Sequence, residues 1–298
     1  MAIYQRNMNQ ILLFGLRVIW IVFPLGVGPL LADGLNPFEE APRSVLSVVL
    51  WVLWGLVLFS TFIPRPLSLT VVRFGTVTAG VLVLWACTSS ATSSVIVTAL
   101  IFVAVALLAS SNATVGDVFV DQISYGDEKR FLLRSSAAVT GFLRPATYLV
   151  SVAGFICGPY LLAEKYFVVG AIICVVGFPL TFFGLRSLHQ LNRRWVVLVP
   201  AGLVLHDHLA LNEPTLFQKS KIDLIGPASI DTGATDFTQG AYGLALEVRC
   251  ESPHDVWPAA VNQETEMVTI DAFLFTPVRP DSFLSEATGR LLTGHSST

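Results

Sequence analysis

Residues 182–206 read FFGLRSLHQLNRRWVVLVPAGLVLH. The first third closes an apolar run of the length that a membrane-crossing helix needs, and Arg186, Arg193 and Arg194 follow it. The period then changes. Trp195–Val199 and residues 203–207 are short β-branched and apolar runs that flank Pro200-Ala201-Gly202, which is a hairpin signal. A helical membrane part therefore meets a mainly-β part near Arg194, and the rest of the chain can be read outward from that junction.

Composition supports the membrane side. Of 298 residues, 53% are hydrophobic and only 13% charged, against about 25% charged in an ordinary soluble domain. Mean hydropathy is +0.68. Those values exclude a disordered chain, a disulfide-stapled secreted domain and a basic nucleic-acid binder. Charge is divided as sharply as hydropathy. Residues 1–194 carry thirteen Lys or Arg against eight Asp or Glu, whereas residues 195–298 carry five against thirteen. Cys87, Cys157, Cys174 and Cys250 form no CxxC pair and no cluster with histidine, so no metal, redox or cofactor site is expected from them.

Crossing a hydrocarbon core of about 30 Å takes ~20 apolar residues in a helix. Six runs qualify, at 11–31, 44–63, 67–87, 94–112, 145–163 and 166–186. With the N-terminus in the cytosol, the inner flanks hold Arg6, Arg65, Lys129, Arg130, Arg134, Arg144, Arg186, Arg193 and Arg194, and the outer flanks only Arg43 and Lys165. The positive-inside rule then places both termini in the cytosol. Arg outnumbers Lys 14 to 4, the direction of a GC-rich bacterial coding bias, so the expected location is a bacterial inner (cell) membrane, crossed several times. Arg17 and Arg73 are the only charges within spans, each near a cytosolic end where its stem can snorkel. No Asp, Glu or His lies mid-span, which weighs against proton- or sodium-coupled transport. Pro24, Gly26, Gly28 and Pro29 are read as a kink in the first span. Gly170, Gly177 and Gly184 recur every seven residues on one face of the sixth span, and Gly154 and Gly158 form a GxxxG in the fifth, the pattern of closely packed helices.

Residues 113–144 make the longest connection. Its centre is Tyr125-Gly126-Asp127-Glu128-Lys129-Arg130-Phe131-Leu132-Leu133-Arg134, a mixed-charge turn followed by an apolar triplet with arginine on both sides. Two readings stand: a solvated cytosolic flank, or an interfacial segment that dips Phe131 and Leu133 among acyl chains. Tyr125, Gly126, Asp127, Glu128, Lys129, Arg130 and Arg134 are the candidate interaction residues.

Beyond the hairpin, residues 216–225, 244–250 and 267–276 are further candidate strands, the last with Val268, Ile270, Ala272 and Leu274 on a buried face alternating with Thr269, Asp271 and Phe273 on a partly exposed one; 226–243 is a Gly-, Ser-, Thr- and Asp-rich loop, and 281–292 places Phe283, Leu284, Ala287 and Leu291 on one helical face. A hairpin directly after a membrane helix, more strands, and then Phe275-Thr276-Pro277-Val278-Arg279-Pro280-Asp281-Ser282-Phe283-Leu284 resembles the bacterial pleckstrin-homology-like (PH-like) domains attached to membrane helices. In those a final strand leads through a Pro-Asp turn into a capping helix with an aromatic anchor, matched here by Phe283. The resemblance covers the C-terminal third and implies two packed sheets (a β-sandwich or barrel) with a C-terminal helix and an interaction role, without catalytic residues.

The expected fold is thus an α-helical polytopic membrane bundle (1–194) joined to a small cytosolic mainly-β domain (195–298). His206-Asp207-His208 puts two imidazoles on one strand face but lacks an assignable third metal ligand. No GxSxG, HExxH, P-loop or dinucleotide fingerprint is present. The leading expectation is a non-enzymatic membrane protein that acts as scaffold, assembly factor or accessory subunit through protein–protein interaction, with membrane lipids and a protein partner or a second copy as its contacts. A small-solute or lipid transporter is the alternative, and a membrane enzyme with an unrecognised site the third.

Overall fold

The computed structural model describes residues 2–259 and 266–292. The chain divides into two compact units, Met1–Phe119 with Arg144–His189, and Val120–Leu143 with Gln190–Thr298. It therefore passes between them three times.

The first unit contains α1 (Ala2–Leu35), α2 (Glu40–Phe62), α3 (Pro66–Ala86), α4 (Ser93–Ser111), most of α5 (Ala113–Asp121), α6 (Arg144–Ala163) and α7 (Phe167–Leu191). Among the described residues six helices are long and apolar enough to cross a membrane, at Asn9–Leu35, Glu40–Phe62, Pro66–Ala86, Ser93–Ser111, Val139–Ala163 and Phe167–Leu191. The protein is thus a helical, multi-pass type of chain with a β part.

Pro24 inside α1 is compensated from a neighbouring helix. Pro24 has no N–H to give the Trp20 carbonyl four residues earlier, and α1 continues unbroken through it. Trp54 Nε1 donates to that carbonyl instead, at 2.7 Å. Arg17 and Arg73 are likewise used. Arg17 Nε donates to Thr61 O at 3.3 Å and its guanidinium lies 5.0 Å from the Phe62 ring centre. Arg73 Nε donates to Ser110 O at 3.2 Å. Both carbonyls belong to the last turns of α2 and α4, where a cation meets the negative end of the helix dipole.

The glycines of the fifth and sixth spans face each other. A Cβ on Gly154 would sit 2.6 Å from Gly177 O, and Gly158 and Gly170 lie equally close to Cys174 and Leu162, with 2.9 Å to the backbone N of each. Gly184 abuts Ser151. Thr181 Oγ1 donates across the contact to Ser151 O at 2.8 Å. Backbones this close gain dispersion contact that lipid cannot supply.

The second unit is two four-stranded sheets around one core. The first has the order β1 (Lys129–Leu132), β2 (Trp195–Val199), β3 (Gly202–His206), β4 (Thr215–Gln218), all antiparallel. The second has the order β5 (Ile222–Pro227), β7 (Leu246–Val256), β8 (Val268–Phe275), β6 (Thr235–Asp236), with β6 parallel to β8. A terminal α8 (Pro280–Ala287) follows. Val196, Leu198, Leu203, Leu205 and Phe217 from one sheet meet Ile222, Ile225, Leu246, Val248, Phe273 and Phe275 from the other, with Phe283 and Ala287 of α8 closing the end.

Several expectations change here. Residues 129–132 are not an interfacial segment but a strand, because β1 pairs with β2 in register Lys129↔Leu198 to Leu132↔Trp195. Phe131 and Leu133 are 3% and 4% exposed in the β core, so neither is free to enter acyl chains. The run 216–225 is two strands: Lys219–Lys221 forms a 3-10 turn between β4 and β5 that carries the chain from one sheet to the other. The loop 226–243 contributes β6. In β8 the buried face does not follow one alternation. Ile270 is buried and so are Phe273 and Phe275, because the pairing with β7 shifts register between Arg249 and His254.

Candidate functional site

The β unit is organised around the corner where β2 begins and β3 ends. Arg194 and Asp207 lie opposite across that corner and are almost completely buried, at 1% and 0% of side-chain area. Arg194 donates through Nε and Nη2 to the two carboxylate oxygens, at 2.7 and 2.6 Å. Its Nη1 reaches Arg134 O at 3.2 Å, and Asp207 Oδ1 also accepts from Leu209 N at 3.0 Å. A paired, fully hydrogen-bonded fork is the arrangement in which two such charges tolerate burial. Arg194, counted from sequence as a membrane flank, is a structural residue of the β unit.

The neighbouring face carries a stack. Trp195 lies 4.7 Å from the His206 ring at 19°, and the Arg130 guanidinium sits 5.6 Å from the Trp195 ring centre. Val120, Leu132 and Val197 complete a small apolar cluster with Trp195 there. The β1–β2 part of sheet one is consequently buried on both faces. His206 Nδ1 lies 3.1 Å from Arg193 O.

The candidate loop residues are brought together, and their charges are largely engaged within the unit. Asp121 anchors the turn: Lys129 Nζ pairs with it at 2.7 Å, Arg130 N donates to it at 3.0 Å and Ser124 Oγ at 3.1 Å. Gly126 adopts φ +60°, the left-handed conformation that glycine accepts without a Cβ clash. Glu128 pairs with Arg130 at 3.1 Å, and Arg290 donates to Asp127 O. Arg134 Nη2 reaches Val278 O at 3.1 Å, and Arg134 N donates to Thr276 O at 2.9 Å. Tyr125 is the exception, at 88% exposed.

A depression of about 330 Å³ beside the corner is lined by Gln190, Arg193, His206, His208, Asn212 and Glu213, among others. Burial lowers the His208 pKa, with Asp207 opposing and Arg194, His206 and Arg193 adding to it. His206 and His208 therefore flank a structural ion pair. Among the described residues no group of three or more His, Cys, Asp or Glu is placed to hold a metal ion.

Among the described residues of the helical unit, apolar clefts of about 310 and 730 Å³ lie between helices. The smaller is walled by α1, α2 and α3 and the larger by those helices together with α6 and α7. Sequence reading missed both, since a gap between helices has no signature in a run of apolar residues. Comparison with protein-family models, curated proteins and solved structures finds no match to this chain.

Proposed function

We propose that the chain is a non-enzymatic integral membrane protein, a scaffold, assembly factor or accessory subunit whose cytosolic β unit binds another protein or a second copy. One observation carries the reading. The β unit closes a core of its own, yet Tyr125, Ile230 and Tyr242 project from its loops at 88%, 100% and 76% exposed, on a part of the chain with thirteen acidic against five basic residues after Arg194. Aromatic side chains of this kind are the usual anchors of protein contacts. The acidic balance favours a basic partner surface over an anionic lipid leaflet.

The PH-like resemblance is consistent with this use. Two four-stranded sheets closed by a terminal helix, with Phe283 packed edge-on against Phe131 and Phe275 at 5.3 and 5.2 Å, support it as a proposal for the fold of this unit. The experiment is affinity capture of the full chain in mild detergent, comparing wild type with Tyr125→Ala/Tyr242→Ala. Recovery of a stoichiometric protein or second copy that the double variant loses is the expected result. Equal recovery from both, or none from wild type, removes the reading.

A further inference from the structure

We propose that the depression beside the Arg194–Asp207 corner binds the headgroup of a zwitterionic phospholipid, with its phosphate on Arg193 and its ammonium on Glu213. Phosphatidylethanolamine is the chemical class that fits.

Charge selects a dipolar ligand. Arg193 and Glu213 both line the depression of about 330 Å³, and both are exposed. Among the described residues neither forms an ion pair, with the other or with any third residue. The other two charges at this corner, Arg194 and Asp207, are taken up by each other. Burial lowers the His208 pKa, with Asp207 opposing and Arg194, His206 and Arg193 adding to it, so that imidazole supplies no second cation near neutral pH. One cation and one anion, held apart in a single depression, complement a ligand that carries one of each. A lipid of net negative charge would meet Glu213 with nothing to offset the repulsion.

Depth selects a lipid as the source of that ligand. Gln190, also in the wall, lies on α7 one turn beyond Arg186, where the apolar run closes. One turn is about 5.4 Å along a helix, and the headgroup layer is roughly 5–8 Å thick on each side of the hydrocarbon. Arg193 follows directly after α7 ends at Leu191. The depression is therefore lined by residues at headgroup level. Each exposed ionic contact is weak. A ligand confined to the adjoining bilayer is present at high effective concentration, so weak contacts suffice to fill the site.

The full-length protein, stripped of lipid in detergent, is titrated separately with dioctanoylphosphatidylethanolamine, dioctanoylphosphatidylglycerol, glycerophosphoethanolamine and inorganic phosphate, and native mass spectrometry reads the bound fraction of each. Phosphatidylethanolamine should bind saturably and more tightly than phosphatidylglycerol. Arg193→Gln should weaken it about three- to fivefold, the loss expected of one exposed ionic contact. Glu213→Gln should weaken it by a similar factor and strengthen phosphatidylglycerol, a reversal of preference that loss of structure would not produce. Equal phosphatidylethanolamine affinity in wild type and both variants overturns the site. Tighter binding of phosphatidylglycerol by wild type overturns the zwitterionic class. Glycerophosphoethanolamine or inorganic phosphate binding as tightly as the lipid overturns the membrane as the source.

Discussion

Phe131→Ala should unfold or loosen the β unit although the residue lies in a connection between two membrane-spanning helices. The ring is 3% exposed, stands edge-on to Phe283 at 5.3 Å, and belongs to the same core as Val196, Leu198 and Phe275. Removing a buried phenyl ring costs about 3–5 kcal/mol through lost transfer energy and the cavity left behind. A domain of this size has a total stability of roughly 5–15 kcal/mol, so a large share of it rests on one side chain from the loop. Hydrogen exchange by mass spectrometry on the full chain in detergent reads the effect directly. Amides of β2, β3 and β8 should lose protection by about two to four orders of magnitude, consistent with that energy, while amides of α2 and α3 stay unchanged. Unchanged protection in β2 would refute the reasoning, because it would mean that Phe131 is a loop residue after all.

Other outcomes follow from the same geometry. Asp207→Ala should cost about 3–5 kcal/mol by stranding the buried Arg194 guanidinium, and Asp207→Leu/Arg194→Met should recover most of it, as read by thermal unfolding of the two variants. Gly177→Val should disrupt the α6–α7 contact, because a Cβ there falls within 2.9 Å of Gly154 Cα; distances between spin labels on the two helices should broaden. Acidification should loosen the β unit. Burial, and then Lys221, hold the His254 pKa below its ordinary value, with Asp255 opposing. A base with a depressed folded pKa contributes stability above its unfolded value of about 6.5 and loses it as pH falls toward the folded value. The β unit should therefore exchange faster at pH 5.5 than at pH 7.5, and His254→Gln should flatten that dependence.

The helical unit was legible because a membrane span needs only length and hydropathy, and the packing of Gly154 against Gly177 follows from a seven-residue spacing. The strand β1 was not legible. Phe131-Leu132-Leu133 is an unbroken apolar triplet, the form taken by a strand buried on both faces, and alternation is absent from such a strand. Flanking arginines made the same triplet look interfacial, whereas Arg130 lies against Trp195 and pairs with Glu128. Arg194 misled for the same reason: a charge beside a span reads as a topology signal until its partner thirteen residues away, Asp207, is seen folded back on it. The register shift in β8 depends on its partner strand, and the hydrogen bond from Trp54 to Trp20 joins residues 34 positions apart. Neither is a local property of sequence.

The long connection between the fourth and fifth membrane helices supplies a strand that completes the β unit, and the reading of that unit as one binding module rests on it. In a background with Cys87, Cys157, Cys174 and Cys250 replaced, the pair Arg130→Cys/Val197→Cys occupies directly opposed positions of β1 and β2. Mild oxidation of the full chain in membranes should join this pair rapidly, and Arg130→Cys/Val199→Cys, two positions out of register, much more slowly. Equal rates for the two pairs, or no cross-link in either, would contradict the strand and with it the two-segment construction of the β unit.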